Sequence, residues 1–439
     1  MKSPAKSAHT SAPGSTTQTV LGAWGLLSAA LLVMLGNGVL NPLLGVRAEL
    51  EGFATSTTGL VLAFYYAGFL IGAAVTPRLV VLVGHIRVYA ALASLASTAT
   101  LIYIVTASPV VWSGARLVTG FSMCGLFIVA ESWLNDASTN RTRGRLLAAY
   151  MVVLMGGMAL GQMLLTLADP SGVILFILAS ILVSVAVIPI TLSTAPGPRL
   201  PVPDRLPVRR VWEAAPSGLA AAFGQGVGVA ALLSLGAVYG ARVGMSVDRI
   251  AVFMSSAIVG SVFLQGPIGM ISDRVGRRRV IMAVGLLTAG SCLLMVNIEP
   301  LSWWALIISF LVGGMALPMY PLALSHINDR VPPGSAVGVS RVVSYVTGVG
   351  AILGPIVAAL IMDSTGPAGL YTFVAVLYAG ITGFALWRIL THEGVAAKER
   401  RAFTMVPARA GTVILQAARR RRRPRVNRQT DKGRSGSET

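Results

Sequence analysis

The chain has 439 residues, 54% of them hydrophobic and only 12% charged, with a mean hydropathy of +0.74. A soluble domain carries roughly twice that charged fraction, so the composition excludes a water-soluble enzyme and indicates a polytopic membrane protein. The net charge of +19 is concentrated at one end: from Arg388 onward there are 14 basic and 4 acidic residues.

In chain order, a polar N-terminal tail covers residues 1–17 and is followed by an apolar run from Val20 to about Leu40. That run is too long for a signal-peptide core and has no convincing cleavage site, so it reads as an uncleaved first span. Further apolar runs fall near 59–80, 88–107, 110–134, 145–168, 171–193, 213–239, 249–271, 280–298, 302–325, 338–362 and 369–390. Each is long enough to cross a hydrocarbon layer of about 30 Å, which predicts an all-α protein of about twelve transmembrane helices. Residues 194–212 hold five prolines and four arginines and read as an extended linker between a first bundle, 18–193, and a second, 213–390. A basic tail, 391–439, closes the chain with Arg419 through Arg423. No aromatic residue interleaves with those arginines, so nucleic acid is a poor fit and anionic lipid the expected partner.

The two bundles repeat. SWLND at 132–136 returns as SHIND at 325–329, and at the same offset Gly120 matches Gly313, Gly157 matches Gly350 and Gly161 matches Gly354. Gly84, Arg87 and Val88 match Gly276, Arg279 and Val280 at an offset one residue shorter. Several matches near one offset predict two six-helix pseudo-repeats. With the N-terminus inside, the inner loops hold fifteen arginines against three, Arg47, Arg242 and Arg249, outside. That bias predicts both termini in the cytoplasm.

Residues 266–279, GPIGMISDRVGRRR, form a short basic turn between two spans, with a single acid, Asp273. This turn resembles the cytoplasmic signature loop of the major facilitator superfamily of transporters, and the resemblance extends over about residues 18–390. It implies a secondary transporter in a bacterial inner membrane that moves a small solute by alternating access, with no cofactor and no catalytic residues. The string ESWLN at 131–135 looks like a bacterial subgroup whose substrates are largely unassigned. There is no Walker lysine motif, so energy is expected from an ion or solute gradient, with proton coupling left open. The chain is expected to work as a monomer.

Arg116 is the most unusual residue within a span. An arginine near mid-membrane costs on the order of 2.5–3.5 kcal/mol on insertion scales, so it needs a wet cavity or a partner. Arg116 through Gly120 resembles the superfamily's Arg-x-x-x-Gly element, associated with proton transfer in proton-coupled members. The second repeat has Ser309 at the matching position, so the fold does not require the charge. A substrate or coupling role and a structural anchor both stay open, with the former tilting the substrate toward an anionic or zwitterionic metabolite. Other polar candidates for a mid-membrane site are Asn37, Tyr65, Gln162, Gln225, Tyr320 and Tyr345, for each of which interhelical hydrogen bonding is the plainer reading.

Glu131 is the one acid placed inside a span. The resemblance implies a gate latch with arginines of the neighbouring turn; a proton carrier and an ordinary helix-end carboxylate are the alternatives. Gate candidates are Arg78, Arg87 and Arg143 in the first half and Asp273, Arg274, Arg277 and Arg278 in the second. The first-half turn has Val81 and Leu82 where the second has Asp273 and Arg274, so one latch departs from the family pattern. Gly157, Gly161, Gly350, Gly354 and Pro355 are close-packing positions. Drug exporters of the superfamily carry Gly-Pro in the fifth helix where this chain has Gly161-Gln162, which weighs against a drug/proton antiporter. A transporter-like sensor signalling through the basic tail is the alternative of another class. The four histidines read as tail and loop residues, and Cys124 and Cys292 as small core residues without a metal site.

Overall fold

The computed structural model describes residues 24–137, 143–192, 206–332 and 335–391. Residues 1–17, most of the linker, the basic tail beyond Thr391 and the side chain of Arg143 lie outside the described set. The described chain is all-α. Twelve helices are long and apolar enough to cross a membrane: α1 (Trp24–Leu50), α2 (Thr55–Val83), α3 (His85–Val105), α4 (Pro109–Ala137), α5 (Arg143–Met163) and α6 (Ile174–Thr191), then α7 (Pro216–Arg242), α8 (Val247–Val275), α9 (Arg277–Asn297), α10 (Trp303–Asn328), α11 (Ala336–Thr365) and α12 (Gly369–Thr391). Lipid offers the backbone no hydrogen bonds, so each apolar run satisfies its own as a helix.

Three boundaries differ from the sequence reading. The first span runs ten residues past Leu40, because the Asn41–Pro42 break in hydropathy interrupts neither the helix nor its burial. Arg47 therefore stands in the last turn of α1. In the linker, Val208–Ala214 is helical, with Val211 buried. Helices α6 and α10 are each interrupted once, near Ala186 and at Leu317–Pro318.

The turns after α2 and α8 are built alike. Gly84 has φ 89° and Gly276 φ 114°, a region that L side chains avoid. The amide of each returns to the residue four before it, Val80 and Ser272, and the next helix starts at once. We call the side holding these two turns the turn face and the other the opposite face.

Within each half the same pairs cross tightly. A methyl group on Gly120 of α4 would overlap the carbonyl of Tyr65 on α2, and one on Gly313 of α10 would overlap that of Ala257 on α8. Gly161 of α5 lies against Leu35 and Gly38 of α1, and Gly354 of α11 against Val227 of α7. Bare glycine faces let backbones approach where lipid supplies no hydrophobic drive between helices.

The halves meet mainly through α2 with α11, α5 with α8 and α1 with α7. The recorded contacts lie from mid-span toward the opposite face. Gly45 packs on Ala237 and Val238, Gly59 on Pro355 and Ala359, and the Ser255 hydroxyl donates to the carbonyl of Ala159 at 3.0 Å. Toward the turn face the seam opens. Tyr66 of α2 touches Ser234 of α7, yet Ala73, about two turns on along the same side of α2, is exposed. Asp363 of α11 touches Ser56 of α2, yet Tyr345, about five turns away on the same side, is 53% exposed. The contacts between the halves thus run from the opposite face to about mid-span.

Candidate functional site

Arg116 enters the first half from α4, about 10 Å in from the opposite face, and is only 2% exposed. Its Nη2 donates to Oδ1 of Asn41 on α1 at 3.0 Å, and its guanidinium lies 4.6 Å from the ring centroid of Tyr65 on α2. Among the described residues its Nε and Nη1 make no geometric hydrogen bond and no carboxylate pairs with it. The Tyr103 hydroxyl of α3 lies beside Arg116 and Thr119, within hydrogen-bonding and electrostatic reach of the guanidinium. One turn from Asn41, the side-chain amide of Asn37 is fully buried with both polar atoms unpartnered, and so is that of Gln162. These two residues flank the close contact of Gly38 with Gly161. A buried polar group left unpaired costs about 1–3 kcal/mol, more when charged, so such a cluster is held in place by the surrounding packing.

Ser309, the repeat partner of Arg116, donates to the carbonyl of Phe253 at 2.9 Å. A local hydroxyl bond is enough there.

Below Arg116 runs a series of rings. Tyr65 and Tyr66 stack edge-on at 5.4 Å, Tyr65 and Phe69 lie at 6.3 Å, and Phe69 and Phe127 at 6.4 Å. The Tyr66 hydroxyl lies 3.3 Å from that of Ser234 in the other half. In the second half, the hydroxyls of Tyr320 and Ser344 lie 3.0 Å apart, and Gln225 is buried with its Oε1 unpartnered. Tyr345 is 53% exposed. Gln225, Tyr320 and Tyr345 are thus separate from the Arg116 group, on the other half of the molecule.

At the turn face, the second half holds a buried ion cluster. Arg277 is 3% exposed, with Nη1 2.6 Å from Asp273, Nε 3.3 Å from Asp329 at the end of α10, and Nη1 donating to Ser272 at 2.8 Å. Arg278 donates to the Arg388 carbonyl at 2.7 Å and ties α9 to α12, whereas Arg274 lies at the surface. Arg330, just past α10 and touching His326, is pushed down to about 10 by burial and then by Arg278 and Arg388.

The first half is built differently. Arg78 and Arg87 are exposed and belong to no ion pair among the described residues. His85, the repeat counterpart of Arg277, takes the buried position instead, its Nε2 3.2 Å from the Ser132 hydroxyl and its ring stacked on Trp133. Next to them Glu131 is 1% exposed. His85 and His326 are thus buried helix residues and not loop residues. Their repeat positions carried the signal, since His85 stands where the second copy has a motif arginine.

A polar cluster at the opposite face was not legible in the sequence. Arg242, ending α7, donates to the Thr55 hydroxyl at 2.7 Å and lies 3.9 Å from Glu49, which ends α1. Asp363, near the end of α11, accepts from the backbone amide of Ser56 at 2.8 Å. Helix α2 has no side-chain cap of its own, so a carboxylate from the other half caps it. This clasp joins four helices and bridges the halves.

The sequence profile of the Major Facilitator Superfamily matches residues 26–262 and 215–426. An uncharacterized MFS-type transporter of Enterobacter sp. strain 638 is 27% identical over 358 residues, which is 80% of this chain and 91% of that protein. The uncharacterized MFS-type transporter YfkF of Bacillus subtilis is 26% identical over 351 residues, 78% of this chain and 89% of its own. Among solved structures, a mutant of the nucleoside transporter NupG superposes with a TM-score of 0.72 at 13% identity, covering 84% of this chain and all of that one. A bacterial homolog of the human lysosomal transporter Spinster, in an inward-facing unoccupied conformation, gives 0.69 at 16% identity, covering 88% and 99%. These likenesses to solved structures show the fold alone. The chain belongs to the Major Facilitator Superfamily. It is a multi-pass membrane transporter of that family, whose members move small-molecule substrates.

Proposed function

We propose that this transporter moves a small solute bearing an anionic group, by alternating access, and that Arg116 binds that group. One observation carries the reading: a buried arginine that has no carboxylate partner among the described residues, its neighbours there being the uncharged Asn41, Tyr65 and Tyr103. An anion supplies both the missing charge and the missing acceptors, while Asn41 and Tyr65 hold the guanidinium in place. Asn37 and Gln162 offer further amide contacts at the same level. The clasp roofs this group at the opposite face, so opening the clasp is what exposes it on that side.

Arg116→Lys keeps the charge but loses the planar two-pronged geometry, and should keep partial transport. Arg116→Gln should weaken binding more, by an amount that grows with the negative charge of the substrate. Equal losses for neutral and anionic solutes, with poor folding, would make Arg116 a structural anchor and remove the preference for an anion.

In this reading the turn face is cytoplasmic, both termini are inside a bacterial inner membrane, the chain acts as a monomer, and the basic tail meets anionic lipid. The arginine bias supports the orientation. Cysteines placed in the 194–212 linker should be labelled only from the cytoplasm, and labelling in intact cells from outside would reverse the assignment. Glu131 and the Arg277 cluster serve as gates at the turn face. The presence of Gln162 in place of a proline supports a metabolite transporter over a drug antiporter.

A further inference from the structure

We infer that the turn-face end of the second half holds a phosphate-binding site, centred on Arg330 with Arg278 and Arg388 and filled by the headgroup of an acidic phospholipid. Two observations point there, neither involving Arg116: a surplus of partly buried positive charge, and a belt of rings at the same height.

Arg330 follows the end of α10 and is half-buried. Among the described residues it belongs to no ion pair, and its guanidinium meets the ring of His326. Two of its charged neighbours have its own sign. Arg278, in the first turn of α9, and Arg388, in the last turn of α12, lie within electrostatic reach, and together with burial they push Arg330 down to about 10. Asp329 opposes them, but its Oδ2 lies 3.3 Å from Arg277. Arg278 also donates to the Arg388 carbonyl at 2.7 Å, so α9, α12 and the end of α10 meet at one corner. With Arg277, four arginines share this corner with two carboxylates, Asp273 and Asp329. A phosphate group relieves such a surplus and accepts from several guanidinium forks at once.

The rings set the level. The Arg388 guanidinium lies 5.9 Å from the ring of Trp387, which is exposed. Trp387 packs on Phe384 at 5.7 Å, and Phe384 stacks at 6.3 Å on Trp212 of the linker helix, also exposed. Tryptophans on the outside of a membrane protein gather at the headgroup layer. From there toward mid-span, α12 exposes Leu386 and Val376, and α9 exposes Leu286 and Leu287. An acyl chain gains from that apolar surface and a free phosphate does not, which favours a lipid as the source of the phosphate. Basic pockets between spans at this level suit acidic headgroups.

The test is equilibrium binding to the purified full chain in detergent, with dihexanoyl phosphatidylglycerol, dihexanoyl phosphatidylcholine and inorganic phosphate as probes. Phosphatidylglycerol should bind roughly 10-fold more tightly than phosphatidylcholine, whose choline cation offsets its phosphate, and should raise the thermal unfolding midpoint. Arg330→Gln should weaken binding about 10-fold, the loss of one charge-assisted hydrogen bond, and Arg330→Lys should recover part of it. Arg279→Gln removes the same charge from an exposed position of α9 and should change binding by no more than about 2-fold. Replacing Arg419 through Arg423 by Gln should likewise leave it.

Without lipid, Arg330→Gln should not lower the unfolding midpoint, because it removes a cation that its neighbours repel. A lower midpoint would make Arg330 a structural residue and overturn the site. Equal losses in the Arg279, tail and Arg330 variants would show unspecific attraction and overturn it as well. Inorganic phosphate binding as tightly as phosphatidylglycerol would overturn the lipid as its occupant.

Discussion

Arg277 and His85 occupy equivalent places in the two repeats but meet different demands. Arg277 presents its guanidinium, buried, to both Asp273 and Asp329. Removing it leaves Asp329, itself 3% exposed, without that partner. Breaking a buried ion pair from one side costs about 3–5 kcal/mol. Arg277→Ala should therefore lower the thermal unfolding midpoint in detergent clearly. Arg279→Ala, at an exposed position two residues on, should change stability by no more than about 0.5 kcal/mol. Equal midpoints for the two variants would mean that the cluster holds nothing together. In the first half, His85 lies 3.2 Å from the Ser132 hydroxyl and stacks on the Trp133 ring. The two turns share a backbone and differ in chemistry. Arg116 and Ser309 show the same separation, because the scaffold position is repeated and the charge is added to one copy only.

At the scale of elements, the clasp determines which face is closed. Its parts are weak one at a time: Arg242 and Glu49 are 3.9 Å apart and partly exposed, a pair worth about 0–1 kcal/mol. The Asp363 bond to the Ser56 amide is charge-assisted but exposed, which leaves it about 1–2 kcal/mol. Asp363→Ala should shift the balance toward opening at that face by roughly 5- to 30-fold, the effect of one or two kcal/mol. Spin labels at the exposed positions Ala54 and Ser364 would report it as a longer distance population. An unchanged distribution would show that the glycine contacts of α2 with α11 close the face without the clasp. None of this was legible in the sequence, because Glu49, Thr55, Arg242 and Asp363 come from four helices and no local spacing relates them. The helices were legible, since about twenty apolar residues in lipid have few other solutions. The end of α1 was missed for the converse reason: Asn41, Pro42 and Arg47 look like a loop in composition, but α1 is enclosed by protein there and its polar residues have partners, Asn41 in Arg116 and Arg47 in Glu51.

For the whole molecule, the repeat was readable from glycine spacing because those glycines are where backbones touch, and the touching pairs recur in both halves. The state of the seam between the halves was not readable, since the same contacts along each helix are compatible with opening at either face. In this conformation α1 and α7 meet near the opposite face at equivalent positions of the repeat: a Cβ built on Gly45 would stand 3.3 Å from the Cβ of Ala237. That is close to the Cβ separation of about 3.5–4.5 Å that a disulfide spans, so a small adjustment would allow a bridge. With Cys124 and Cys292 replaced, Gly45→Cys together with Ala237→Cys should cross-link on oxidation. If the seam must part there for the solute to pass, transport should stop on oxidation and return with reductant. Solute added from the turn face should still bind to the cross-linked protein, because the bridge lies near the opposite face and leaves the turn face free to part. Full transport by a quantitatively cross-linked protein would mean that α1 and α7 do not separate during the cycle. The rocking of two rigid halves would then have to be replaced by movement of single helices.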